Sequence, residues 1–335
     1  MGPKIVCTMP VLSTPYHDEV AESLGGEIIR VQCATEEEVI NACRDADAAM
    51  GAIEPFSKQV IDELDKCQII AQFSVGYDHV DVGAATERGI IVANVPDYCI
   101  DEVSEQALSF ILALNRKIFR LDKAARDGKW TGDAMGIVFP LSNIQGQTLG
   151  LVGFGRIARA LASKAHALGM NIITYDPYIP ADIVQEQGAE LVDLNQLLAN
   201  SDFISVHVPY TEETHHLFGL EQFKEMKSNA YFINTGRGGL VDEAALHTAL
   251  TEGYIQGAAI DVMEKEPPDS NNPLFGLDNI IITPHTGAMS NTSMAELMRR
   301  PIEEVARVFR GQWPNGFVNP EVKERFITRW GKTMD

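Results

Sequence analysis

The sequence predicts an α/β protein built from two doubly wound parallel-sheet domains. Apolar segments with strand character alternate with amphipathic helical segments, and this alternation occurs in two successive series. The length of 335 residues is also about twice that of a typical domain. Because alternating strands and helices bury a parallel sheet between two helical layers, each series is expected to form its own domain.

The first series occupies the first hundred residues. Its predicted strands are Lys4 to Cys7, Ala48 to Ile53, Ile69 to Phe73 and Ile90 to Ala93, and a helix is predicted over Glu36 to Cys43. A long helix is then expected from Asp101, as N-cap, to Arg126, because apolar residues recur at helical spacing. Asp127-Gly128 is expected to end this helix.

The second series begins after an irregular connection over Trp130 to Gln147. Its six predicted strands are Thr148 to Val152, Asn171 to Tyr175, Phe203 to Val206, Ala230 to Ile233, Gly257 to Ile260 and Ile280 to Thr283. A last helix is expected over about 291 to 310, broken or kinked at Pro301 because proline lacks an amide proton and clashes with the preceding turn. The tail after Gly311 is expected to be irregular.

The composition favours a protein that binds a small diffusible ligand. The chain has 27 Lys and Arg against 47 Asp and Glu, a formal charge of −20, and no basic segment that would attract nucleic acid or anionic lipid. No stretch approaches the roughly 18 consecutive apolar residues of a membrane span. The five cysteines have no CxxC or CxxH spacing, so no metal site is predicted. We therefore expect a cytoplasmic protein that binds neither nucleic acid nor membranes.

A glycine turn follows the first strand of the second series. Gly153, Gly155 and Ala158 match the dinucleotide-binding pattern, in which the small residues allow a tight turn, close approach of a pyrophosphate, and close helix–strand packing. The N-terminus of the following helix would offer free N–H groups and a positive dipole end to the phosphates. Taken alone, the motif is equally compatible with an ordinary turn between strand and helix.

Asp176 strengthens the nucleotide interpretation. It ends the next predicted strand, 23 residues after Gly153, where a carboxylate can accept the ribose hydroxyls of the adenosine. The same carboxylate would repel a 2′-phosphate, so NAD is favoured over NADP. The alternative is that Asp176 is only a helix N-cap or a turn residue before Pro177.

Three further polar residues follow predicted strands of the same sheet. Arg237 can bind a carboxylate through two hydrogen bonds, Glu266 is itself a carboxylate, and His285 can move protons near neutral pH. Taken singly, Arg237 could be an ion-pair residue, Glu266 a solvated acid and His285 a structural histidine. Because all three follow strands of one sheet, they are expected to converge on one crevice and could together bind, polarise and protonate a 2-oxo acid.

From about Ile69 to Asn319 the chain resembles the D-isomer-specific 2-hydroxyacid dehydrogenases, a family that includes phosphoglycerate, glycerate and formate dehydrogenases and the C-terminal-binding-protein corepressors. The resemblance rests on Val75 to Asp81, Asn94 to Pro96, the glycine turn, the segment around Arg237, Asp261 to Pro267, and Thr283 to His285. It implies a Rossmann NAD domain of residues 101 to 300. This domain would be inserted into a flavodoxin-like catalytic domain of residues 1 to 100 plus 301 to 335, and would form a homodimer.

The resemblance also implies roles for individual residues. Arg237 would bind and polarise the 2-oxo acid, His285 would be the acid/base catalyst, and Glu266 would tune its protonation. Backbone groups of Ser74, Val75 and Gly76 would bind the substrate carboxylate. The implied cofactor contacts are Val75, Gly153, Phe154, Gly155, Arg156, Ile157, Ala158, Asp176, Val208, Pro209, Thr214, Thr235, Gly236, Arg237, Asp261 and His285.

The expected function is therefore NAD-dependent interconversion of a 2-oxo acid and a D-2-hydroxy acid. The alternative is an NAD(H)-sensing binding protein of the corepressor type with the same fold. The chain lacks the long disordered extensions typical of such regulators and retains all three expected catalytic residues, which favours the enzyme. The particular acid stays open, because Gln72 stands where many relatives have a basic residue and residues 287–289 vary among subgroups.

Overall fold

The computed structural model describes residues 2–335 and contains two compact units, residues 2–98 with 290–335 and residues 99–289. The strands are β1 Lys4–Cys7, β2 Glu27–Arg30, β3 Ala48–Gly51, β4 Ile69–Gln72, β5 Ile91–Ala93, β6 Thr148–Val152, β7 Asn171–Tyr175, β8 Glu190–Leu191, β9 Phe203–Val206, β10 Tyr231–Asn234, β11 Gly257–Ile260 and β12 Ile280–Ile282. The helices are α1 Pro15–Ser23, α2 Glu36–Cys43, α3 Lys58–Asp62, α4 Val82–Glu87, α5 Ile100–Asn115, α6 Ile118–Arg126, α7 Thr131–Val138, α8 Arg156–Ala167, α9 Ala181–Glu186, α10 Leu194–Asn200, α11 Leu220–Glu225, α12 Glu243–Thr251, α13 Asn291–Phe309 and α14 Lys323–Trp330.

The first unit has a five-stranded parallel sheet in the order β2-β1-β3-β4-β5, the flavodoxin-like arrangement. The residues of β3, β4 and β5 are all buried, because helices cover both faces of the sheet. Two buried clusters pack on its two sides, one of which includes α13 and α14. Strand β2 was not predicted: it lies at the edge, and Glu27 and Arg30 interrupt its apolar pattern.

The second unit has a seven-stranded parallel sheet in the order β12-β11-β10-β9-β6-β7-β8. The two largest buried clusters of this unit lie on opposite faces of the sheet. The strand order reverses between β6 and β9, and in open α/β sheets ligands bind beyond the carboxyl ends of the strands at such a point. The prediction of two parallel-sheet α/β domains is thus confirmed, with β8, a two-residue edge strand, added to the six expected strands.

The long helix expected from Asp101 to Arg126 is wrong in two respects. It is two helices, α5 and α6, separated at Lys117, whose φ of 51° is left-handed and cannot continue a helix. The N-cap is Cys99, and Asp101 lies in the first turn of α5, where its carboxylate pairs with Lys164 at 2.9 Å. A further helix, α7, occupies part of the connection that was expected to be irregular.

The C-terminal region also differs from expectation. Helix α13 runs through Pro301 without a break, and Pro301 is buried with Leu297, Ile302 and Val305. Tertiary packing of this apolar face outweighs the one backbone hydrogen bond that proline removes. The expected domain boundary at residue 300 therefore falls inside a continuous helix of the first unit, and the tail contains α14.

Among residues 2–335, no helix combines the length and the apolar character that crossing a membrane requires.

Candidate active site

The glycine turn after β6 has the geometry that a dinucleotide-binding turn needs. Gly153 has a φ of +89°, and a Cβ there would lie 2.9 Å from Val208 Cγ1, so only glycine fits. A Cβ on Gly155 would meet no atom within 4 Å, which leaves space for a ligand close to the backbone. Ala158 is fully buried in the core, where its methyl group packs α8 against the sheet.

The N-terminus of α8 is open to an anion. Its N-cap is Gly155, no side chain caps the first turn, and the first turn contains no acidic residue. The first turn of α8 therefore contains no acid and has no N-cap side chain that accepts its N–H groups, and Arg156 adds a positive charge. This arrangement, with Phe154 and Ile157 completing the turn, fits the pyrophosphate of a dinucleotide.

Asp176 lies directly after β7 and is held against the glycine turn. One carboxylate oxygen accepts the N–H of Phe154 at 2.9 Å and the other accepts the N–H of Tyr178 at 2.9 Å. Asp176 caps no helix, since α9 begins later with Pro180 as its N-cap, although the bond from Tyr178 does stabilise the local turn. The carboxylate is half-buried beside the turn and is available to ribose hydroxyls.

The other expected cofactor residues of this unit follow the neighbouring strands. Val208 and Pro209 follow β9, and Thr214 Oγ1 donates to the carbonyl of Pro209 at 2.8 Å. Thr235 and Gly236 follow β10, and the hydroxyl of Thr235 is buried and has no hydrogen-bond partner among residues 2–335. A buried hydroxyl without a partner is costly, so this atom fits a site that a polar ligand completes.

Arg237 is positioned by a turn that depends on Asn234. The Asn234 side chain accepts the N–H of Gly236 at 3.0 Å and donates to the carbonyl of Arg237 at 2.8 Å. Gly238 must be glycine, because a Cβ there would lie 1.9 Å from the backbone of Met263. No role for Asn234 or Gly238 was predicted. The sequence features that could have indicated one are a polar residue at the end of a buried strand and a glycine directly after Arg237.

Glu266 and His285 form a hydrogen-bonded pair. Glu266 Oε2 lies 2.6 Å from His285 Nδ1, and Glu266 Oε1 accepts the N–H of Met263 at 2.9 Å. Burial acts to raise the pKa of Glu266, but the hydrogen bonds from His285 and Met263 and the charges of His285 and Arg237 outweigh it and lower that pKa. Glu266 is therefore held as a carboxylate facing the imidazole.

The backbone of His285 is held in an uncommon conformation. Its φ is 54°, in the left-handed region that histidine seldom adopts, and its N–H donates to the carbonyl of Asp261 at 2.8 Å. The buried Asp261 carboxylate accepts the N–H groups of Thr286 at 3.0 Å and Gly287 at 2.7 Å, and the hydroxyl of Thr283. Asp261 thus shapes the turn that presents His285, and such strained positions are common where a side chain must be aimed.

The residues expected to bind the substrate carboxylate form a loop of the first unit. Ser74 Oγ donates to the carbonyl of Gly76 at 2.5 Å, and Asn94 Nδ2 donates to the carbonyl of Val75 at 2.6 Å. Within residues 2–335, the N–H groups of Val75 and Gly76 donate to no protein acceptor. Gln72, at the end of β4, is fully buried and lies 2.6 Å from His79 Nε2.

Within residues 2–335 no group of three or more His, Cys, Asp or Glu side chains could hold a metal ion. The second unit brings the glycine turn, Asp176, Arg237, Glu266 and His285 to the carboxyl edge of one sheet.

Comparison with known proteins gives consistent similarities. Residues 108–287 match the model of the D-isomer specific 2-hydroxyacid dehydrogenase NAD binding domain. The chain is 40% identical over 313 residues to a D-3-phosphoglycerate dehydrogenase of Methanocaldococcus jannaschii, covering 92% of this chain but only 59% of that relative. It is 39% identical over 285 residues to a glyoxylate reductase of Korarchaeum cryptofilum, covering 85% of this chain and 86% of the relative.

Among solved structures, the chain is similar to a D-lactate dehydrogenase from Aquifex aeolicus in complex with NAD and lactic acid. The TM-score is 0.82 at 26% identity, with 98% of each chain covered.

Proposed function

The chain belongs to the D-isomer-specific 2-hydroxyacid dehydrogenase family of NAD-dependent oxidoreductases, and on that premise we propose that it interconverts a 2-oxo acid and the corresponding D-2-hydroxy acid. The observation that carries this proposal is the Glu266–His285 pair, with 2.6 Å between its nitrogen and oxygen atoms, on the same sheet edge as Arg237 and the glycine turn. This edge combines an acid/base group, a cation for the substrate and a turn that fits a dinucleotide.

NAD(H), when bound, supplies or accepts the hydride. The protein residues would hold it through the N–H groups of the α8 N-terminus for the pyrophosphate and the Asp176 carboxylate for the ribose. The hydroxyl of Thr235, which lacks a partner, is a further candidate contact. We also assign Val75, Val208, Pro209, Thr214, Gly236 and Asp261 to the surroundings of the cofactor, as the family resemblance implies.

The substrate is a small 2-oxo acid. The Arg237 guanidinium binds and polarises its C2 oxygen. The family resemblance assigns the substrate carboxylate to backbone groups of Ser74, Val75 and Gly76, and the N–H groups of Val75 and Gly76 have no protein acceptor within residues 2–335. During reduction, His285 donates a proton to the C2 oxygen as negative charge develops there, and during oxidation it accepts the proton back. Glu266 stabilises the protonated imidazole and, by bonding Nδ1, leaves Nε2 to face the substrate.

Stereochemistry tests this function directly. Purified protein with NAD should oxidise the D enantiomer of a 2-hydroxy acid and leave the L enantiomer untouched, as chiral chromatography of the residual acid would reveal. Consumption of both enantiomers, or of L alone, would contradict the proposal.

The NAD unit also offers a surface for homodimer formation. Trp130 is 73% exposed and Phe139 is 60% exposed, and Met135 between them is exposed as well. These three side chains flank or lie on α7, and large apolar side chains clustered on a surface mark protein–protein contacts. We propose that this segment contacts a second copy of the chain, which the molar mass in solution tests.

Within residues 2–335 all cysteines are buried and unpaired, which supports a proposed location in the reducing cytosol.

We expect cofactor preference to depend on Asp176. Asp176→Ser should lower the preference for NADH over NADPH by about tenfold or more, because it removes a negative charge that would lie near the 2′-phosphate. The ratio of kcat/KM values with the two cofactors measures this. Asp182→Ser, at an exposed carboxylate in the first turn of α9, is the matched control and should change nothing. Equal use of NADPH and NADH by the wild-type protein would refute the assignment.

The pH dependence of reduction should depend on Glu266. Its pKa is lowered, so it is ionised at neutral pH and favours the protonated imidazole that reduction requires. The rate of 2-oxo acid reduction should fall as pH rises, because reduction requires the protonated imidazole, and the rate of oxidation should fall as pH drops, because oxidation requires the neutral one. In Glu266→Gln the fall in the reduction rate should occur at lower pH. Glu264→Gln, which removes the carboxylate partner of His216, should leave the pH dependence of reduction unchanged. The same pH dependence in wild type and in Glu266→Gln would show that Glu266 and His285 are not coupled.

A further inference from the structure

The segment Asn94 to Pro96 belongs to the sequence resemblance, yet it supplies none of the groups in the proposed reaction. It follows β5, and Asn94 is only 7% exposed. Strand β5 pairs in parallel with β4, so the segment lies beside the loop of residues 74–76 that follows β4. Its contacts with that loop decide how the loop can present its backbone to an anion.

Two hydrogen bonds from this segment hold carbonyl groups of the loop. The N–H of Val95 donates to the carbonyl of Ser74 at 3.0 Å, and the side-chain amide of Asn94 donates to the carbonyl of Val75 at 2.6 Å. A carbonyl oxygen can only accept, so the Asn94 atom that faces it is the amide nitrogen. Two consecutive carbonyls of the loop are thus bound to two consecutive residues of the segment.

The same two bonds fix the direction of the N–H groups. The Ser74–Val75 and Val75–Gly76 peptide bonds are trans, so each N–H points opposite to the carbonyl of its own peptide plane. Because both carbonyls face residues 94 and 95, the N–H groups of Val75 and Gly76 point away from these residues. Successive N–H groups that are directed to one side form a concave site for an anion.

Asn94 is itself held by the C-terminal part of the same unit. Its N–H donates to the carbonyl of Gly316 at 2.9 Å, and a Cβ on Gly316 would lie 1.9 Å from the carbonyl oxygen of Asn94, so only glycine permits this approach. The Glu304 carboxylate, 3% exposed on α13, accepts the N–H groups of Asn315 at 2.8 Å and Gly316 at 3.2 Å. Buried contacts therefore fix the backbone that carries the Asn94 amide.

We propose that Asn94 is a positioning residue for the substrate carboxylate. Its amide holds the Val75–Gly76 peptide plane so that the N–H of Gly76 points at the anion, and the N–H of Val95 does the same for the Ser74–Val75 plane. The inference rests on the proposed function, since it requires a 2-oxo acid whose carboxylate is bound by this loop. Asn94 acts through the loop and touches neither substrate nor cofactor.

The test compares the best 2-oxo acid in a panel with its primary amide, which keeps the reacting carbonyl but loses the anion. The ratio of the two kcat/KM values measures how well the loop recognises a carboxylate. Asn94→Leu has about the same shape but no donor. It should lower the ratio by about tenfold, mainly through a higher KM for the acid, which is the scale of one charge-assisted hydrogen bond. The Kd for NADH should stay nearly unchanged.

Asn94→Ser is a second variant, whose hydroxyl is too short to reach the carbonyl of Val75, and Asn319→Ser is its matched control. Asn319 is a fully buried amide of the same unit that bonds backbone groups of Val92 and Ile90. Its loss should lower thermal stability and leave the ratio of acid to amide as in wild type. Thermal unfolding checks that each variant is folded, and Asn94→Ser decides the test if Asn94→Leu is not.

The outcomes separate this inference from the proposed function. If the amide is turned over too slowly to measure, the inhibition constants of oxamate and oxamide, which differ in the same way, give the ratio. An unchanged ratio in the Asn94 variants, or an equal fall in Asn319→Ser, would overturn the inference and leave the proposed function in place. Turnover of no 2-oxo acid by the wild-type protein would refute the proposed function, and the inference with it.

Discussion

Replacing His285 should lower kcat for 2-oxo acid reduction by about 10³-fold and leave the Kd for NADH nearly unchanged. The loss is large because His285 is the imidazole that Glu266 holds at 2.6 Å, and it supplies the proton for the C2 oxygen in the proposed reaction. The affinity for NADH should persist because the glycine turn and Asp176 hold the dinucleotide. Steady-state rates and fluorescence titration of NADH measure the two quantities separately.

The choice of substitution matters, because His285 has a φ of 54°. His285→Asn is the better variant, since asparagine tolerates the left-handed conformation more readily than alanine and cannot act as a general acid at neutral pH. His166→Ala, at an exposed histidine on α8, controls for loss of an unrelated imidazole. A His285→Asn protein that retains more than about a tenth of wild-type kcat would remove His285 from the chemical step.

Arg237→Lys should lower kcat by about 10²-fold, and not only raise KM for the oxo acid. Negative charge grows on the C2 oxygen as hydride arrives, and a planar guanidinium already fixed in place stabilises that charge better than a flexible ammonium. Arg237 is fixed by a hydrogen bond to the carbonyl of Gly236 at 2.9 Å and by the turn that Asn234 shapes. Lysine keeps the charge but loses this orientation.

The split between kcat and KM distinguishes the two roles of Arg237. A fall in kcat together with kcat/KM indicates an interaction that strengthens in the transition state, whereas a change confined to KM indicates uniform binding. Arg156→Lys makes the same change in the first turn of α8, and it controls for effects that an arginine-to-lysine change has through cofactor binding alone. If Arg237→Lys changed KM alone, Arg237 would only bind the substrate.

Much of the fold was predictable because its buried strands are short apolar segments. The bounds of β6, β9 and β11 agree with the sequence prediction, since strands buried on both faces contain hardly any polar residues. The edge strands β2 and β8 were missed because an edge strand is partly solvated and its apolar pattern is weak. The break at Lys117 was also missed, because a lysine has no intrinsic preference for the left-handed conformation and tertiary contacts impose it.

The candidate site was predictable only in part. Arg237, Glu266 and His285 could be proposed because they follow strands of one sheet, and parallel strands bring their carboxyl ends together. The contribution of Asn234, Gly238 and the internal hydrogen bonds of Asp261 depends on distances between loops that are far apart in the sequence.

The most direct test of the central claim is the rate of NADH oxidation by the purified protein with a panel of 2-oxo acids that differ in size and charge. We expect saturable turnover with at least one acid, and loss of that turnover in His285→Asn. Binding of NADH without turnover of any acid in the panel would contradict it, and would favour an NAD(H)-sensing binding protein of the same fold.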